Sequence, residues 1–252
     1  MRRRGPAQYV RRFRLEGAPA AGGYPFTLPA VSWLAGRTGL PLPPGVTFLV
    51  GENGSGKSTL VEALAVACGF NPEGGSSNFR FATRPTESAL GDYLVLSRTG
   101  LKPRTGFFLR AESYYNVSTE IERLDKAGGP PLLPAYGGVS PHERSHGESF
   151  VDLLIHRFGP DGLYLLDEPE AALSPRGCMA VLARLAELAD QNCQIIVATH
   201  SPILLALPGA TIYEIADTGE IASIDYDRAA PVVLTREFLA DPPRLLRYLL
   251  QP

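Results

Sequence analysis

Apolar positions fall into short unbroken runs separated by polar, glycine-rich or proline-rich stretches. Val46–Val50 (VTFLV), Leu163–Leu166 and Gln194–Ala198 (QIIVA) are largely apolar runs of strand length, the pattern of strands covered on both faces. Helical patterning is predicted over Leu60–Ala67, Ser145–Phe158, Pro175–Ala189 and Thr235–Leu249, with a short helix over Val117–Leu124. Ile212–Ile215 and Ile221–Ile224 flank Asp217-Thr218-Gly219 and predict a hairpin. Tyr9–Glu16 predicts a first strand, and Tyr24–Val31 (YPFTLPAV) an edge strand because of its prolines. Asp92–Ser97 and Gly106–Arg110 are expected as strands of a small lobe. Gly69–Asn78 and Ala127–Pro141 read as loop and connector. Strands alternating with helices imply an α/β fold with a mainly parallel sheet. No repeat or heptad array interrupts this order.

Composition narrows the class without naming a chemistry. The chain has 252 residues, 44% hydrophobic and 20% charged, enough to bury a core. A formal net charge of −2 offers no overall attraction to nucleic acid or acidic lipid. Arg2, Arg3, Arg4, Arg11, Arg12 and Arg14 crowd the start, where a solvated terminus is the simplest expectation. Cys68, Cys178 and Cys193 are far apart and lack metal spacing, which suggests buried thiols in a reducing compartment. No apolar run reaches the ~20 residues of a bilayer span, and no apolar stretch backs the basic start as in a secretory signal. A cytoplasmic location is expected.

The strongest chemical signal follows the Val46–Val50 run. Gly51-Glu52-Asn53-Gly54-Ser55-Gly56-Lys57-Ser58-Thr59 meets the pattern G-x-x-x-x-G-K-[ST] between a predicted strand and a predicted helix. Glycines let the backbone curl so that its N–H groups turn inward around phosphates. Lys57 supplies a charge to the β- and γ-phosphates of a nucleotide, and the Ser58 hydroxyl can ligate Mg²⁺. The following helix points its positive end at the same anion. Bound ATP with Mg²⁺ is therefore expected.

Two further strand ends carry matching chemistry. Leu163–Leu166 runs into Asp167-Glu168. Asp167 is expected to hold the Mg²⁺ together with Ser58, and Glu168 to act as general base on the attacking water. Gln194–Ala198 ends in Thr199-His200-Ser201-Pro202, where His200 is expected to sense the γ-phosphate. Lys57, Glu168 and His200 are thus the catalytic candidates.

In order and spacing these elements resemble the ABC-type ATPase superfamily, which includes transporter nucleotide-binding domains and RecF/SMC/Rad50-like heads. Ser145-His146-Gly147-Glu148 ends nineteen residues before Asp167 and looks like that family's signature motif, with His146 and Glu148 replacing a glycine and a glutamine. The resemblance implies a P-loop NTPase fold with an N-terminal antiparallel β part and a small helical/β lobe. One domain is expected over 1–252: a β part at 1–45, a nucleotide-binding core at 46–78 and 142–252, and an inserted lobe at 79–141. It also implies that the signature closes on the nucleotide of a second copy, giving an ATP-dependent homodimer that hydrolyses ATP. Ala172-Leu173-Ser174-Pro175 resembles the D-loop, with Ser174 also a helix cap and Pro175 at its first position. Glu112 falls where the family has a glutamine that senses Mg²⁺. Tyr24 and Phe26 are the candidates for stacking on adenine.

Asp-Glu-Pro-Glu-Ala and Thr-His-Ser-Pro resemble the repair branch, and the arrangement is similar to stand-alone bacterial ATPases of predicted function. The chain ends about fifty residues after His200, which is expected to leave no room for a nuclease domain. A transporter subunit and a P-loop kinase or nucleotide-dependent regulator stand as the other readings.

Overall fold

The computed structural model describes residues 7–19, 22–75, 89–112, 114, 119, 123, 125 and 146–250. Its centre is a six-stranded sheet in the order β5-β6-β7-β3-β8-β9. The strands are β3 (Gly45–Gly51), β5 (Thr105–Arg110), β6 (Gly162–Asp167), β7 (Gln194–Ala198), β8 (Thr211–Ile215) and β9 (Ile221–Ile224). All pair in parallel except β9, which turns back on β8 as the expected hairpin. β6 and β7 are buried at every position, as the apolar runs require.

Alternation along β3 assigns the two faces. Val46, Phe48 and Val50 pack toward α3 (His146–Arg157) and α4 (Pro175–Asp190), whereas Leu49 packs toward α2 (Lys57–Cys68). The α2 face also carries a small antiparallel sheet made of β1 (Val10–Leu15), β2 (Leu40–Pro41) and β4 (Leu94–Arg98), in the order β2-β1-β4. Both strands expected in the lobe are present, and their partners lie in the body of the fold. β4 pairs with β1, and β5 forms one edge of the central sheet beside β6. The expected helix Val117–Leu124 lies mostly outside the described residues, and the connector Ala127–Pro141 lies wholly outside them.

Two elements differ from the sequence expectation. Tyr24–Val31 is a turn followed by helix α1 (Pro29–Leu34) rather than an edge strand. Pro29 sits at the first helical position, where its missing N–H is no loss, and Ala30, Val31 and Leu34 supply a buried helical face. The tail is two helices, α6 (Ala230–Ala240) and α7 (Pro242–Leu249). Pro242 and Pro243 cannot continue a helix, and the Asp241 carboxylate caps the second by accepting from the Arg244 N–H at 3.1 Å. A short helix α5 (Pro202–Leu205) follows β7. Among the described residues no helix is long and apolar enough to cross a membrane.

Candidate nucleotide site

Register aligns the candidate site across the sheet. Leu49 pairs with Ala198, Ala198 with Asp167, and Asp167 with Arg110. The C-terminal ends of β3, β7, β6 and β5 therefore open on one edge, where ligands bind in open α/β sheets.

The loop Gly51–Gly56 leaves β3 and enters α2. Gly54 and Gly56 hold left-handed backbone at φ 81° and 103°, a conformation that strains any side chain but glycine's. α1 props this loop from behind: the Ala30 N–H donates to Ser55 O at 3.1 Å, and a Cβ at Gly56 would meet Leu28 and Ala30 at 3.4 Å. The Ser55 Oγ is buried without a hydrogen-bond partner. Glu52 and Asn53 are exposed at the tip, and Thr59 lies half-buried in the first turn of α2. Lys57 is buried, and its ammonium donates to Gly51 O at 2.7 Å and Glu52 O at 3.0 Å. Burial lowers its pKa, while Glu168, Asp167 and Glu52 pull it back up. A cation held on two loop carbonyls can exchange them for phosphate oxygens.

Ser58, Asp167, Glu168 and Glu112 line one cavity of about 260 Å³ beside that loop. The Asp167 side chain is 7% exposed, and burial pushes its carboxyl up to about 6 against the pull of Arg110 and a Ser58 hydrogen bond. Its Oδ1 is buried without a hydrogen-bond partner. An orphaned carboxylate oxygen next to a serine hydroxyl fits a hard divalent cation. Among the described residues no cluster of three or more His, Cys, Asp or Glu side chains can hold a metal. Mg²⁺ needs no such cage, since it uses one or two protein ligands plus substrate phosphates.

Glu168 adopts left-handed backbone at φ 49°, an uncommon conformation for a residue with a side chain, directly after β6. Its N–H donates to Ala198 O at 2.9 Å, which ties the end of β6 to β7. His200 follows β7 with Nε2 at 3.8 Å from Glu168 Oε1, and the His200 backbone N–H donates to Glu170 Oε1 at 2.5 Å. Glu112 is 88% exposed, and its carboxylate lies 3.6 Å from Arg110 Nη2.

Of the signature residues, Ser145 lies outside the described residues, and His146 opens α3. Gly147 and Glu148 line a second groove with Leu173, Ser174 and Arg176, which meets the Ser58–Asp167 cavity at Ala172. A Cβ at Gly147 would meet Ala172 O at 2.9 Å, so the start of α3 is pressed against the turn after Glu168. Ser174 caps α4 as expected, its Oγ accepting from the Gly177 N–H at 3.2 Å. Tyr24 is exposed, and Phe26 packs edge-on against Tyr93 with ring centroids 5.2 Å apart. Arg110, Glu62 and Glu170 belong to the site region without having been singled out in the sequence. Glu170 was legible inside Asp-Glu-Pro-Glu-Ala, whereas Arg110 and Glu62 are isolated in sequence.

A family model described as "AAA domain" matches residues 32–126, and one described as "AAA domain, putative AbiEii toxin, Type IV TA system" matches 136–206. A macrolide export ATP-binding/permease protein of Hahella chejuensis is 31% identical over 224 residues, covering 76% of this chain and 31% of that protein. A "Putative ABC transporter ATP-binding protein" of Methanothermobacter thermautotrophicus is 28% identical over 206 residues, covering 71% of this chain and 67% of that protein. The chain thus spans about three tenths of the length of the export proteins it matches. The solved structure of cbiO1 from Clostridium perfringens, part of the ABC transporter complex cbiONQ, shares the fold at TM-score 0.51 and 16% identity, covering 96% of this chain and 99% of that one.

Proposed function

Because the chain belongs to the AAA/ABC-type P-loop ATPases, which hydrolyse ATP, we propose that it works as a Mg²⁺-dependent homodimer closing on two ATP molecules and reopening on hydrolysis. The observation that carries this reading is the convergence of Ser58, Asp167 and Glu168 on one cavity at the mouth of the Gly51–Gly56 loop.

The loop N–H groups and the N-terminus of α2 bind the triphosphate. Lys57 leaves the carbonyls of Gly51 and Glu52 for the β- and γ-phosphate oxygens. A Mg²⁺ ion held by Ser58 and Asp167 would, when bound, neutralise charge on those oxygens. Glu168 takes a proton from a water whose oxygen attacks the γ-phosphorus, and ADP departs as the β–γ bridge breaks. His200, close to Glu168, holds a γ-phosphate oxygen and orients it. Ser145, His146, Gly147 and Glu148 of a second copy complete the γ-phosphate shell, and Glu112 reports cation occupancy from the cavity rim. The three free cysteines suit a cytoplasmic location.

Glu168→Gln tests the scheme. The variant is expected to bind ATP, to hydrolyse it about 10²- to 10⁴-fold more slowly, and to run as a dimer by light scattering when ATP is present. A variant that stays monomeric in ATP while hydrolysing at the parent rate would sink the sandwich.

A second reading has support from the names of the relatives, which join ATP binding to a permease. In it the chain powers a separate membrane protein. Co-purification of a permease from membranes, and stimulation of hydrolysis by it, would favour this reading over a stand-alone ATPase.

A further inference from the structure

Arg110 ends β5 directly beside Asp167. Its mostly buried guanidinium faces three carboxylates: Glu62 of α2 at 2.9 Å, Asp167 of β6 at 3.5 Å and Glu112 at 3.6 Å. These contacts are unequal. The Glu62 contact is a hydrogen bond between largely buried partners. Glu112 is exposed, and such pairs contribute little. Toward Asp167 the Arg110 Nε makes no hydrogen bond, so it acts there as a fixed neighbouring charge.

The consequence lies in how Asp167 is oriented. Arg110 faces Oδ2, while Oδ1 is the buried oxygen without a hydrogen-bond partner. The two oxygens are equivalent, so what the guanidinium holds is the rotation of the carboxylate plane, in which one oxygen faces Arg110 and the other is left without a partner. We infer that Arg110, anchored by Glu62, is a positioning residue that fixes the rotation of the Asp167 carboxylate, and so the direction in which its unpartnered oxygen is presented to the divalent cation of the ATP site. This rests on the reading of Asp167 as a cation ligand. Ligating carboxylates are commonly oriented by such partners, and losing one weakens metal binding. Charge alone works in the opposite direction, because a guanidinium near the site repels a divalent ion. Orientation and repulsion therefore predict opposite signs when Arg110 is replaced.

The test uses two variants that keep the local charge balance, Arg110→Lys and the double variant Glu62→Gln/Arg110→Gln. Mn²⁺ is titrated into the full chain with a non-hydrolysable ATP analogue, and free Mn²⁺ is read by electron paramagnetic resonance. The double variant is expected to bind Mn²⁺ about 10- to 100-fold more weakly, and Arg110→Lys by an intermediate factor. Binding of the analogue in EDTA should match the parent. Raising Mg²⁺ should recover the hydrolysis rate, since the change lies in cation occupancy. Should the double variant fail to fold, Arg110→Lys decides alone. Unchanged or tighter Mn²⁺ binding overturns the inference, as does a loss of stability with no change in the Mg²⁺ half-saturation. A parent protein that binds no Mn²⁺ beside the analogue would instead overturn the assignment of Asp167.

Discussion

His200 Nε2 lies 3.8 Å from Glu168 Oε1, a contact made between the residues that directly follow β6 and closely follow β7. The His200 main chain is anchored separately, through its N–H to Glu170. Its ring Nε2 is buried yet has no hydrogen-bond partner. A ring held by its backbone with a nitrogen left over can engage a phosphate oxygen without moving the strand.

His200→Ala is accordingly expected to slow hydrolysis about 10²- to 10³-fold at saturating ATP, the usual cost of one transition-state donor. Nucleotide affinity, measured by equilibrium binding, should change little. A parent-like rate at saturating ATP would remove His200 from the chemistry.

Asp167 gives the protein a predictable response to pH. Burial raises its carboxyl from the ordinary 3.8 to about 6, with Glu168 and Glu62 adding to the rise and Arg110 and Ser58 opposing it. The folded state therefore holds this proton more tightly than the unfolded state. Its contribution to stability is fully present below about pH 4 and is lost as pH rises through about 6. The stability of the parent minus that of Asp167→Asn should fall between pH 4 and pH 7 in urea titrations. Other titrating groups cancel in that difference, and a flat or rising curve would contradict the account. The proton also competes with the cation, so Mn²⁺ affinity beside an ATP analogue should rise over the same interval.

What could be read from the sequence was what is contiguous in it. Gly51–Ser58 is a single stretch, and Asp167-Glu168 ends an apolar run, so loop, strand and acid pair were all visible. Arg110 and Glu62 were hidden because only the pairing of β5 with β6, and the packing of α2 against them, brings their charges together. The difference at Tyr24–Val31 has a local cause. Prolines and apolar residues without a clear period fit an edge strand as well as a helix entered at Pro29, and packing on the phosphate loop decides between them. The tail patterns as one helix because its apolar spacing continues past Asp241, while the backbone ends α6 at Ala240 and begins α7 at Pro242.

The side chain of Gln194 is the main polar tie between the small sheet and the central one. It is fully buried at the start of β7, where an apolar residue would fit the strand pattern. Its Oε1 accepts from the Tyr9 N–H at 2.8 Å and the Val10 N–H at 2.9 Å. Its amide donates to Val10 O at 2.8 Å and to Leu42 O and Pro43 O at 3.3 Å. Gln194→Leu keeps similar bulk but leaves two buried N–H groups without an acceptor, each worth about 1–3 kcal/mol. A loss of roughly 2–6 kcal/mol in urea unfolding is expected. Gln191→Ala, three residues earlier and exposed, should change stability by less than about 0.5 kcal/mol. If Gln194→Leu costs no more than Gln191→Ala, the small sheet is held by its share of the apolar core that includes Phe13, Leu15, Leu60 and Leu64, and the polar tie is dispensable.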